Sequence, residues 1–134
     1  MDGKPWRQRL PNDETLTYDD VAVLDLTSLQ EAFGDLDAEI AATLGLFLSS
    51  TRPLLSELIA SVAAKDWGAA AEAAHSAKGS ANVAGALRLG AVCAEVDKAL
   101  KLGDIALAER LAPSIPMLFA EVEAEIGRTL IRGC

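Results

Sequence analysis

The sequence predicts an all-α fold: an antiparallel, up-down four-helix bundle with a short N-terminal capping helix. Three observations lead there. Apolar residues return at steps of three and four along several long segments, the signature of amphipathic helices, and no segment shows the two-residue alternation of a strand. The apolar share is 51% while aromatics make up 4%. Much of that apolar content is alanine and leucine, which suits closely packed helices. The long segments are joined by only a few residues, so neighbours should run antiparallel. A chain of 134 residues is long enough for one domain with a proper core.

Taken in order, residues 1–19 read as irregular, because Pro5, Pro11, Asn12 and Asp13 interrupt any periodicity. They are expected to form a flexible or loosely docked arm, with Trp6 resting on the domain surface or marking a contact. The expected division is an arm over residues 1–23 and a helical domain over residues 24–134. A short helix is predicted from Leu26 to Phe33, with Asp25 as N-cap and Gly34 as stop. It is too short to stand alone and should cap the bundle.

The next helix should start after Asp35, a second plausible N-cap. Asp37 and Glu39 lie in its first turn, where the helix dipole favours negative charge. Its stripe reads Ile40, Leu44, Phe47, Thr51, Leu54, Leu58 and Val62. Pro53 removes a backbone donor and is expected to kink the helix without dividing it. Lys65 and Asp66 mark its end.

The third helix is expected over Trp67–Val83. At about 100° per residue, Gly68, Ala71, Glu72, Lys78, Gly79 and Asn82 fall on the side of His75. Ala70, Ala73, Ala77, Ser80 and Ala84 form the opposite face, which is small enough for neighbouring helices to approach closely. His75, the one histidine of the chain, is therefore expected to point away from the core. Gly85 ends this helix. A fourth should run from Ala86 to Leu102 with Leu89, Val92, Cys93, Val96 and Leu100 facing inward, and Gly103-Asp104 is a stop and restart. The last helical region carries Leu107, Leu111, Ile115, Leu118, Val122, Ile126 and Leu130. Pro113 and Pro116 should kink or break its first half, with regular helix resuming by Met117.

Composition excludes several function classes. A net charge of −8 makes nucleic acid an improbable partner, since phosphate backbones need a basic surface. No apolar run approaches the roughly 18–20 residues that span a bilayer, and the N-terminus lacks the apolar core of a signal peptide. Cys93 lies on an apolar stripe and reads as a small core residue. Cys134 is terminal and expected to be exposed. A reducing compartment suits both, so the expected location is the cytoplasm. No metal-ligand spacing joins His75 to either cysteine.

What remains is the chemistry of His75 itself. Ser76 and Ser80 lie about 100° and 140° round the helix from it, so neither shares its face as a hydrolytic partner. A tight, alanine-rich bundle offers little room for a small-substrate pocket. An exposed neutral imidazole can still act as a nucleophile toward phosphorus. Lys78, one turn on, can offset phosphoryl charge. Gly79 costs about 1 kcal/mol of helix stability relative to alanine and leaves space beside the ring. No nucleotide-binding motif is present, so a phosphoryl group would have to come from another protein and go to another protein.

The run Ala74-His75-Ser76-Ala77-Lys78-Gly79-Ser80-Ala81 resembles the His-x-x-Lys-Gly signature of histidine-containing phosphotransfer (HPt) domains of phosphorelays. The resemblance extends to Gly85-Ala86, Leu89, Cys93, Val96 and Gly103-Asp104 downstream. Upstream it takes in Phe47, Leu54, Leu58 and Asp66, and it covers roughly residues 24–130. It implies a covalent phosphoryl carrier and not an autonomous enzyme. His75 would be the phosphoacceptor on its outward ring nitrogen, Lys78 the electrostatic helper, and Gly79 the clearance for a docking partner. The implied partners are receiver domains of response regulators or hybrid histidine kinases. They would supply the aspartate and the Mg²⁺, so no cofactor or metal of the chain's own is expected. The chain is expected to act as a monomer, away from membranes. Val96-Asp97 stands where a leucine followed by glutamate is common, a departure expected to touch packing and surface and not chemistry. Arg52, Arg88 and Lys101 are read as scattered surface charge around the docking face. The alternative function is a helical binding module that regulates a signalling partner without carrying phosphate.

Overall fold

The computed structural model describes residues 20–34 and 37–132, the side chains of residues 131 and 132 apart. The expectations for residues 1–19, for Asp35 as an N-cap and for Cys134 lie outside the described residues. Within them every regular element is helical: α1 (Thr27–Phe33), α2 (Asp37–Ala63), α3 (Trp67–Ala84), α4 (Leu87–Leu102), α5 (Ile105–Leu111), a 3-10 turn (Ala112–Ser114) and α6 (Ile115–Arg132). Helix α3 packs between α2 and α4. The bent column α5–α6 closes the ring against α4 and α2, and α1 caps α2 and α3. This is the predicted bundle with its capping helix.

The largest fully buried side chains come from three columns of the ring: Leu44 and Leu58 of α2, Leu89, Val92 and Val96 of α4, and Ile115 and Val122 of α6. Phe47 and Phe119, with ring centroids 6.3 Å apart, link α2 to α6. Helix α3 contributes almost only alanine to this interior: Ala70, Ala73, Ala74, Ala77, Ala81 and Ala84 are all buried. Small side chains let α2 and α4 come close on both sides, so the helix backbone is gripped along its length.

Helix α2 runs unbroken through Pro53, whose ring lies on the exposed side. The stripe differs from expectation at one place. Leu55 is buried and Leu54 only half-buried. With Thr51 taken as the stripe's centre, Leu55 lies about 40° from it and Leu54 about 60°. Around the two later prolines the expected break is present. Pro113 sits in the 3-10 turn, and Pro116 falls in the first turn of α6, where a missing N–H leaves no intrahelical bond unmade. Leu111, Ile115, Leu118, Val122 and Ile126 are buried, whereas Leu107 is half-buried and Leu130 exposed. Helix α1 starts one residue later than predicted, with Leu26 at the cap position. Asp25 still accepts the Thr27 N–H, at 2.9 Å, and the hydrogen bonds from Thr27 hold its carboxyl below the usual carboxylate range.

The turn between α3 and α4 is a tight joint of two residues. Gly85 adopts φ +87°, and its N–H reaches back to the carbonyls of Ala81 and Asn82. The residues before α1 then cross this turn. The Asp25 N–H donates to the Gly85 carbonyl at 2.7 Å and the Arg88 N–H to the Ala22 carbonyl at 2.8 Å, while Arg88 Nε donates to the Val21 carbonyl at 2.9 Å. A Cβ on Gly85 would sit 1.9 Å from the Asp25 carbonyl oxygen. Gly85→Ala therefore combines a left-handed backbone, costing about 1–2 kcal/mol, with a backbone collision. Its expected cost is at least about 2 kcal/mol in urea unfolding, and an unchanged midpoint would show that residues 20–26 can leave the turn freely.

Candidate functional site

His75 projects from the solvent side of α3 with 61% of its side chain exposed, as the alanine face behind it requires. Its Nδ1 lies 3.3 Å from Oδ2 of Asp97, which rises from α4. That carboxylate is 5% exposed. The same oxygen also lies 3.2 Å from Nζ of Lys101, one turn along α4, and 3.9 Å from Nζ of Lys78 on α3. Three cationic or proton-bearing groups thus converge on one buried oxygen, while Oδ1 of Asp97 is buried without a hydrogen-bond partner.

This arrangement orders the ring. A carboxylate facing Nδ1 selects the tautomer in which Nδ1 carries the proton and Nε2 the lone pair. Nε2 has no partner among the described residues, so its lone pair is free and faces outward. Asp97 is the residue that sequence reasoning missed. The expectation that position 97 concerns packing and surface is corrected: the side chain is buried, and it touches the histidine. A signal was available. Asp97 stands within an apolar stripe, four residues after Cys93 and four before Lys101, and an acid placed there needs a partner.

The other predicted residues fall as follows. Lys78 is half-buried, its ammonium directed at Asp97. A Cβ on Gly79 would meet nothing within 4 Å, so the space beside the ring is open to the outside. Ser80 does not face that space. Its hydroxyl pairs at 2.8 Å with that of Thr51, which is fully buried, and so pins α3 to α2. Ser76 is exposed and lines a shallow depression with Ala71, Glu72, His75 and Lys101. Asn82 leans toward α4, its Oδ1 2.4 Å from where a Gly90 Cβ would be.

Of the three rim cations, Lys101 belongs to the His75 cluster. Arg52 instead pairs with Glu123 and stacks on Phe119 at 5.0 Å. Arg88 binds residues before α1 and lies 3.4 Å from Glu121. Cys93 is a buried core residue, and burial pushes its thiol up to about 12. Such a thiol stays protonated and unreactive at neutral pH. Among the described residues no three His, Cys, Asp or Glu side chains converge as a metal site.

An exposed histidine on an alanine-backed helix, inside a four-helix bundle, is the arrangement of a phosphotransfer module. The Hpt domain family model matches residues 42–126, which take in most of α2, all of α3 to α5, and most of α6. The chain belongs to that family, whose modules pass phosphoryl groups in two-component relays. Among solved structures it is similar to histidine-containing phosphotransfer protein B (HptB) from Pseudomonas aeruginosa PAO1. The identity is 29%, the TM-score is 0.72, and the match covers 82% of this chain and 96% of that one. No curated protein sequence matches the chain significantly.

Proposed function

We propose that this chain is a phosphorelay intermediate with His75 as its phosphoacceptor. In the forward step Nε2 attacks the phosphorus of an aspartyl phosphate on a receiver domain. The N–P bond forms as the acyl-phosphate P–O bond breaks, and the receiver's aspartate leaves as carboxylate. The reverse sequence delivers the group to a second receiver domain. Asp97 holds the Nδ1 proton and takes up the positive charge that the ring acquires on attack. Lys78 offsets charge on the incoming group. The receiver supplies the Mg²⁺. No described helix is long and apolar enough to cross a membrane, and the reading is of a monomeric carrier acting in the cytoplasm.

The observation that carries this reading is the pairing of a buried carboxylate with Nδ1 of an otherwise exposed imidazole. The test is to incubate the chain with a receiver domain charged with labelled phosphate. Label that moves to the chain and is lost in acid but kept in base identifies a phosphohistidine. A chain that binds the receiver and takes no label is a binding module instead.

Gly79 supplies a second test. Because a Cβ there meets nothing within 4 Å, Gly79→Leu should leave stability equal or higher, by up to about 1 kcal/mol. It should slow transfer from a receiver about tenfold or more by blocking close approach. Unchanged transfer would remove clearance from the role of Gly79.

A further inference from the structure

We infer that Lys101 is a second phosphoryl-binding cation, acting on the side of His75 opposite Lys78. The inference rests on the carrier reading and names a group that the His-x-x-Lys-Gly run does not contain. Nζ of Lys101 lies 3.2 Å from the Asp97 oxygen that faces the imidazole, so one carboxylate separates the ammonium from the ring. Lys101 borders the same shallow depression as His75, together with Ala71, Glu72 and Ser76. Residues 71, 72 and 76 place that depression toward the start of α3 and round one flank of the ring. Lys78 and Gly79 lie toward its end. The two lysines therefore bracket the histidine.

Charge balance gives Lys101 its task. In the free chain Asp97 and Glu72 oppose Lys78 and Lys101. Phosphorylation adds about 1.5 to 2 negative charges beside a buried carboxylate whose Oδ1 has no donor. Lys78 alone cannot offset that group together with Asp97 and Glu72. An ammonium has three N–H donors. Lys101 can keep one on Asp97 and turn another to a phosphoryl oxygen, and its side chain is 60% exposed and free to swing. A charge-assisted hydrogen bond of this kind stabilises the phosphorylated state. It slows hydrolysis, in which water adds to phosphorus, the N–P bond breaks and inorganic phosphate leaves. It also raises the share of phosphoryl groups held on histidine when the chain equilibrates with a receiver.

The test charges the full chain with labelled phosphate from a receiver domain, removes the receiver, and follows decay of the phosphohistidine. Lys101→Gln keeps an N–H donor for Asp97 and loses the charge. It should decay about threefold faster and hold about threefold less label at equilibrium with the receiver. Lys101→Arg should restore both values. Lys98→Gln, which removes an equal charge from an exposed position on the same helix, should change neither. Wild-type decay in Lys101→Gln overturns the assignment of Lys101 and leaves the carrier reading standing. A wild-type chain that never takes label overturns both. Faster decay in Lys98→Gln as well would reduce the effect to overall charge and overturn the specific contact.

Discussion

A His75→Gln chain is expected to fold normally and to take no acid-labile label from any charged receiver. The fold is spared because the side chain is exposed and its place on α3 rests on the alanine face behind it. Substitutions at such positions change stability by no more than about 0.5 kcal/mol. Glutamine is close in reach to histidine, and its amide can donate to Asp97, so the buried carboxylate keeps a partner. What disappears is the nitrogen lone pair. An amide nitrogen is not a nucleophile toward phosphorus, so transfer should fall by roughly a thousandfold or more, the scale on which covalent catalysis fails when its nucleophile is removed. Ser76 is the exposed hydroxyl next to the ring, and any label reaching it would survive acid. The two residues are thus distinguished by the chemistry of the label itself. Acid-labile label persisting in His75→Gln would place the phosphoryl group elsewhere and end the assignment.

The second large effect is expected at Asp97. Asp97→Asn preserves shape but removes the charge that holds the Nδ1 proton, and it frees the ring to adopt the other tautomer. Partners that orient a functional histidine typically contribute about ten- to a hundredfold, and a loss of that size in the transfer rate is expected. Stability should move much less. The carboxylate already leaves one oxygen unpaired, and the side chains of Lys101 and His75 are largely exposed, so they are solvated when the charge is lost. Nitrogen NMR of the imidazole provides the decisive readout. The wild-type ring should show the proton on Nδ1, and the variant a shift toward Nε2. An unchanged tautomer together with an unchanged transfer rate would reduce Asp97 to a structural acid.

The contrast between Asp97 and His75 shows what the sequence could disclose. Helix periodicity is a property of one segment, so the outward direction of His75, the buried faces of α3 and α4, and the break at Pro113 were all legible. The Leu54–Leu55 exchange was not. It depends on the exact direction from which α6 approaches α2, and both leucines lie near the edge of the stripe. The link from Asp97 to His75 depends on two helices at once, on their rotation and on how close they come. That closeness follows from the alanines of α3 and from Gly90, over which Asn82 folds. Lys101 looked like scattered surface charge for the same reason. Its i,i+4 relation to Asp97 was visible, but the approach of Asp97 to His75 across the two helices was not.

The tight turn at Gly85 has a consequence for how such a site can be inherited. His75, Lys78, Asp97 and Lys101 all lie on a single helical hairpin, Trp67 to Leu102, and the contacts described among them involve neither α2 nor α6. Those two helices supply packing, and Thr51 supplies one pin. Their outer surfaces are free to diverge while the His75 cluster stays intact. The hairpin is a self-contained cassette, and a bundle that offers two apolar faces at the same spacing could receive it whole.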